Sequence, residues 1–199
     1  MENFDRVKIK KEEICLVAPC GIYCGACDPF LGRSKDLAKE LYRIINGFNI
    51  VDVAPIVLDI EQEKMKEFMV ILEKLGMGKQ CPGCNEGGGN PVCPIKMCAK
   101  EKGFLTCAEC EKMPCNLIEP DKKNDQTGAC FYLEMIMKRY SNWNIKNLER
   151  IQEIGYRQFI DEMQEKVKNG FLTSDVISSD MMITDSIQKM SEYKMTFFE

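Results

Sequence analysis

The stretch Cys81–Cys115 reads CPGCNEGGGNPVCPIKMCAKEKGFLTCAECEKMPC and holds seven of the chain's twelve cysteines. They are Cys81, Cys84, Cys93, Cys98, Cys107, Cys110 and Cys115. Two Cys-x2-Cys pairs, Cys81/Cys84 and Cys107/Cys110, bracket the stretch. At that spacing two thiolates on one tight turn bind one metal ion, and two such turns complete a tetrahedron. A second group, Cys20, Cys24 and Cys27, lies in PCGIYCGAC near the N-terminus. The expected fold is therefore mainly α, with about five helices around an irregular cysteine-rich metal-binding centre and little sheet. A cysteine-rich domain is expected over residues 1–140, with a helical C-terminal extension, 141–199, packed on it.

Working outward, the helices follow from apolar spacing. Ser34 is placed to cap a helix whose Leu37, Leu41, Ile44 and Ile45 point inward and which Gly47 stops. Residues 48–58, FNIVDVAPIVL, are broken by Pro55 and read as a packed loop or short strand. The next helix follows Asp59, with Ile60, Phe68, Ile71, Leu72 and Leu75 on its inner face and Gly76 at its end. Ile95 to Lys102 spans about two helical turns before Gly103. A helix is expected from Ala129 to Tyr140. Another runs from an Asn144 cap to Gly170, with Ile145, Leu148, Ile151, Phe159, Met163 and Val167 inside and Trp143 at the corner. The run ICLVAP, residues 14–19, reads as a buried strand or an extended lead-in, NEGGGNP, 85–91, as a flexible turn, and 182–192 as a last helix.

Composition narrows the function. The formal charge is −4 and no basic run stands out, which argues against nucleic acid as a partner. MENFDRVKIKKEE has no apolar core of a secretory signal, and no apolar run reaches the roughly 20 residues of a membrane span. A cytoplasmic location without membrane attachment is expected. In a reducing cytosol cysteines serve metals or catalysis more often than disulfides. The chain has no histidine. Mixed cysteine–histidine zinc sites, histidine-ligated catalytic zinc and histidine-based nucleophile pairs are all excluded.

Ten cysteines are the candidate ligands: Cys20, Cys24, Cys27, Cys81, Cys84, Cys93, Cys98, Cys107, Cys110 and Cys115. Cys15, in an apolar run, and Cys130, on an expected helix, read as buried free thiols instead. Two partitions stay open. Cys81, Cys84, Cys107 and Cys110 could share one site, leaving the N-terminal triplet to Cys93, Cys98 or Cys115. Alternatively Cys81, Cys84, Cys93 and Cys98 close one site and the triplet takes Cys107, Cys110 or Cys115. Either way the metal ties the first thirty residues to the middle of the chain, and binding energy becomes folding energy.

Zinc and iron–sulfur are both compatible with thiolates alone. CPGC and CAEC have the form of zinc knuckles. Iron–sulfur clusters are also held by four thiolates, and ten candidates exceed the eight that two sites need. Cys20-x3-Cys24-x2-Cys27 has the radical-SAM cluster spacing, but the chain is short for that barrel and shows no βαβ alternation. The favoured reading is a protein with one or two structural zinc ions that binds a protein or small molecule. The alternative is an iron–sulfur or dithiol redox protein that transfers electrons, with an exposed low-pKa thiolate or a cluster near the surface.

These motifs resemble the cysteine-rich family known as domain of unknown function 3795, found in bacteria and archaea. The resemblance lies in Ala18 to Cys27 (APCG-x-x-C-x-x-C), Cys81 to Cys84 (C-x-G-C) and Cys93 to Cys98 (C-x-I-x-x-C). It continues through Gly103 and Cys107 to Cys115 (C-x-E-C-x-x-x-P-C), and the helix NLERIQEIG at 147–155 is similar to the family's C-terminal part. Some relatives carry a further Cys-x2-Cys after that helix, which is missing here. The resemblance implies metal binding and supplies no activity.

Overall fold

A computed structural model describes residues 9–111, 113 and 136–177. Cys115, Cys130, most of the helix expected at 129–140 and the one expected at 182–192 lie outside the described residues. The architecture is helical, as expected, and no strand occurs among the described residues. About five helices proves an undercount, because the helix expected from Asn144 to Gly170 is two helices and residues 28–31 and 50–57 are helical as well. The chain forms two compact units, one of residues 28–81 and one of the described residues on either side.

The 28–81 unit contains α1 (Asp28–Leu31), α2 (Arg33–Gly47), α3 (Ile50–Val57) and α4 (Gln62–Met77). Gly32, at φ 78°, turns the chain between α1 and α2, so the helix starts there and not at a Ser34 cap. Asn49, at φ 54°, makes the left-handed step into α3. Residues 50–57 are helical despite Pro55. Pro55 is the sixth of eight residues, so it forfeits its own N–H bond and the helix ends two residues later.

α2 and α4 run antiparallel. Gly76 lies against Lys39, and the Cys81 N–H donates to the Pro29 carbonyl at 3.2 Å. Ala38, Ile45, Ala54, Met65, Met69 and Leu72 form the core between these helices. The inner faces differ from those expected. Leu37, Leu41, Ile44, Phe68, Ile71 and Leu75 are exposed. Each helix carries two adjacent apolar stripes. The one with small Ala38 and Gly76 allows close approach, and pliant methionines fill the seam.

The other unit opens with a 3-10 turn, Lys11–Leu16. Val17 then makes an isolated antiparallel bridge to Tyr23, the only trace of the strand considered for 14–19. Further 3-10 turns occur at Cys24–Ala26, Cys84–Glu86 and Cys107–Glu109, with α5 (Pro94–Glu101) between the last two. Residues 136–139 are helical and lead to α6 (Trp143–Ile154) and α7 (Tyr156–Lys168).

The single helix expected from Asn144 to Gly170 is broken at Gly155, whose φ of 84° and ψ of 160° suit glycine alone. Leu148, Ile151, Phe159 and Met163 are buried as expected, with Tyr23, Tyr156 and Ile160 beside them. Tyr23 and Phe159 meet edge to face at 6.1 Å, and Trp143 packs on Phe171 at 5.5 Å. No helix among the described residues is long and apolar enough to cross a membrane.

Candidate metal centre

The local backbone prepares several of the cysteines. Cys24-Gly-Ala-Cys27 and Cys107-Ala-Glu-Cys110 are wound alike, each as one 3-10 turn. In each, the second cysteine's N–H returns to the first one's carbonyl, at 2.9 Å for Cys27 and 3.0 Å for Cys110. The closing residues adopt nearly the same angles, φ −84° and ψ 127° at Cys27 against φ −87° and ψ 124° at Cys110. Glu109 fixes the second turn by accepting from the N–H groups of Leu105 and Thr106. Cys93 precedes α5, with Pro94 as the first helical residue. Gly89, at φ 69°, lies so close to Cys84 that a Cβ there would stand 2.9 Å from its Sγ. The glycine run at 87–89 is therefore shaped around a sulfur.

Buried amides bind these loops to their surroundings. Asn85 Nδ2 donates to the carbonyls of Ile14 (3.0 Å), Val17 (2.9 Å) and Leu105 (3.3 Å). Asn144 Nδ2 donates to the Cys20 carbonyl and Asn147 Nδ2 to the Gly21 carbonyl, at 3.2 and 2.8 Å. The Cys107 N–H donates to the Pro19 carbonyl at 2.9 Å, so the second cysteine turn is stitched to the first loop. Thr173 Oγ1 reaches the Tyr23 carbonyl at 3.1 Å, and Gln152 Nε2 the Ala108 carbonyl at 3.2 Å. Sequence reading missed these amides. Asn85 had a signal in its place directly after CPGC, whereas Asn144 was assigned a capping role that its burial inside α6 rules out.

Four thiols come within mutual influence: Cys20, Cys24, Cys84 and Cys93. Cys24 and Cys84 share a hydrogen bond, in which the proton held by one favours the thiolate form of the other. That bond raises Cys24, with burial adding to the effect. The same bond lowers Cys84 to about 7, against the effect of burial and helped by the Lys96 ammonium. Burial pushes Cys20 up to about 12, and raises Cys93 as well. Backbone N–H groups oppose these rises: that of Ile22 at Cys20, that of Cys84 at Cys24, and those of Lys96 and Ile95 at Cys93. Backbone donors thus favour the thiolate at Cys20, Cys24 and Cys93, while burial disfavours it at the same three.

The grouping draws Cys84 and Cys93 to the N-terminal pair Cys20 and Cys24. Cys27, Cys107 and Cys110 sit on the two matched turns, and Cys98 is half-buried on α5. Cys81 is the last residue of the 28–81 unit. Cys15, outside the candidate set, abuts Gly83, and its Sγ lies 3.1 Å from the Glu12 carbonyl. Among the described residues no three cysteine, aspartate or glutamate side chains stand close enough to hold a metal ion as placed. The donor set nevertheless suits one, with four thiols from three segments, N–H groups at three of the sulfurs and a glycine cradle at Cys84.

A family model described as Protein of unknown function (DUF3795) matches residues 16–120, more than half of the chain. The chain belongs to that family. All four thiols of the cluster fall inside the matched span, as does the Asn85 clamp, whereas α6 and α7 lie beyond it. No curated protein and no solved structure matches the chain.

Proposed function

We propose that this family member is a cytoplasmic metal-binding protein that holds one or two zinc ions through thiolates alone. The zinc would be structural, and the folded product an interaction module for a protein or small-molecule partner. Cys20, Cys24, Cys84 and Cys93 would form the first centre. Cys27, Cys81, Cys98, Cys107, Cys110 and Cys115 supply the candidates for a second. The observation that carries the reading is the set of backbone N–H groups directed at the Cys20, Cys24 and Cys93 sulfurs. Buried neutral thiols have little use for such donors, whereas thiolates on a metal do. Zinc would supply a cross-link among residues 20–24, 84 and 93, offsetting the cost of burying their charge.

Iron–sulfur binding is the second reading, favoured by the same N–H groups and by the surplus of cysteines. One experiment separates the two. Protein made in iron-replete cells and purified without oxygen is expected to be colourless with one to two equivalents of zinc. Brown protein with stoichiometric iron and sulfide would replace zinc by a cluster and favour electron transfer. Protein with no bound metal would overturn both. Cys24→Ser and Cys84→Ser are each expected to lose one equivalent and the cooperative thermal transition together.

A further inference from the structure

The 28–81 unit leaves a broad apolar face uncovered. On one side of the pair the exposed residues are Leu37, Leu41 and Ile44 of α2, Phe48 just past its end, and Phe68, Ile71 and Leu75 of α4, while Val70 and Met77 of α4 are exposed as well. Each series repeats at helical spacing. In each, most members immediately precede a residue of the buried seam: Leu37 precedes Ala38, Ile44 precedes Ile45, Phe68 precedes Met69, and Ile71 precedes Leu72. One residue is a rotation of about 100°. In an antiparallel pair, equal rotations from two facing seams carry both series to the same side. The contact of Lys39 with Gly76 sets the register. It places Leu41 level with Leu75, Ile44 with Ile71 and Phe48 with Phe68, each to within one residue.

The exposure is large. Leu37 is 63% exposed, Phe48 76%, Ile71 54% and Leu75 56%. Together the seven side chains present on the order of 700 Å² of apolar surface, close to the ~800 Å² each partner contributes to a stable interface. It exceeds the roughly 300–600 Å² of the largest patch on a typical monomer.

We propose that this face is a homodimer interface, where two α2/α4 hairpins close a four-helix bundle about a twofold axis parallel to the helices. Such an axis preserves height, so α2 of one copy lies over α4 of the other in the intrachain register. The apolar layers then meet as Leu41 on Leu75, Ile44 on Ile71 and Phe48 on Phe68, with Leu37 at the open end. Charges at the flanks match in the same arrangement. Glu40, ion-paired with Arg43 of its own helix, comes level with Lys74 of the second copy. Isologous packing satisfies both sets twice. The interface uses none of the four clustered thiols, so it stands apart from the metal reading.

Sedimentation equilibrium in reductant tests it on the full chain. A dimer of the 22.8 kDa chain is expected in the micromolar range. Leu41→Glu combined with Ile71→Glu should weaken it at least tenfold while helix content and metal content stay unchanged. Glu40→Lys and Lys74→Glu should each weaken it, and the two together should restore it. Zero-length cross-linking of mixed 15N and natural-abundance protein should join Glu40 and Lys74 peptides of opposite label. A monomer throughout that range, or a dimer indifferent to the Leu41 and Ile71 substitutions, would overturn the proposal. Failure of the charge exchange together with absent mixed-label Glu40–Lys74 cross-links would overturn the parallel-axis arrangement.

Discussion

Gly21 lies directly against the backbone of Asn144, so closely that a Cβ on Gly21 would stand 2.1 Å from the Asn144 carbonyl oxygen. The same hypothetical atom would be 2.7 Å from Leu148 Cγ, and Gly21 has φ +90°. Helix α6 is thereby seated on the loop that carries Cys20 and Cys24. Gly21→Ala combines left-handed strain with a backbone clash that no rotamer relieves. Its expected cost exceeds about 4 kcal/mol, the range reserved for severe core disruption. Thermal unfolding followed by circular dichroism should show the cooperative transition lost or shifted far down. A variant melting within a few degrees of the parent would contradict the seating.

Asn85 makes a different kind of contact. Its Nδ2 has two hydrogens and serves three carbonyls, those of Ile14, Val17 and Leu105. Asn85→Ala leaves these acceptors without their donor, at an expected cost of about 1–3 kcal/mol. Asn85→Asp is the sharper test. It keeps the shape but turns an acceptor toward three other acceptors, so it should destabilise more than alanine. Urea denaturation of both variants reads the order, and aspartate milder than alanine would show that the amide is not the clamp.

The sequence reveals most about the cysteine region and least about helix faces. Spacing alone identified α5 to within a residue and placed cysteine pairs on tight turns, because Pro94 and Gly103 punctuate the chain locally. It could not choose between neighbouring apolar stripes on α2 and α4. That choice is made by how closely two backbones approach at Ala38 and Gly76, a property of the pair. Pro55 misled because a proline that forfeits one hydrogen bond need not end a helix at once. Cys93 was among the partners weighed for the N-terminal triplet, whereas the place of Cys84 beside Cys20 and Cys24 was likewise illegible. It depends on long-range clamps, such as Asn144 on Cys20, that leave no periodic trace.

Arg150 joins α6 to α7 through Glu162, with Nε and Nη2 donating to the two carboxylate oxygens at 3.1 and 2.6 Å. Hydrogen bonding from Arg150 holds the Glu162 carboxyl below its usual range. A depressed folded-state pKa gives stability that is present above the unfolded value of about 4.3 and is lost as pH falls through the lower folded value. Both side chains are about two-fifths to one-third exposed, so solvent screening limits the effect to less than about 1 kcal/mol. Glu162→Gln should therefore lower the melting temperature slightly at pH 7, with the difference from the parent shrinking as the pH falls below the usual carboxylate range. A difference that persists undiminished in acid would point to packing as its source.

Two glycines at helix ends should respond to alanine with opposite signs. Gly155 ends α6 and begins α7, donating its N–H to Ile151 at 2.9 Å while its carbonyl accepts from Phe159 at 3.1 Å. Its φ of 84° and ψ of 160° lie where an alanine is strained by about 1–3 kcal/mol. Alanine would also favour continuing α6 as one straight helix, pulling Phe159, Ile160 and Met163 away from Leu148 and Ile151. Gly47 is the last residue of α2, and an added Cβ would meet nothing within 4 Å. Gly47→Ala removes freedom from the unfolded chain and favours the helix, so it should stabilise by about 0.4–1 kcal/mol. Denaturation of the two variants side by side checks the pair. Destabilisation at Gly155 and stabilisation at Gly47 are expected, and a neutral Gly155→Ala would mean that the break between α6 and α7 is not held by backbone conformation.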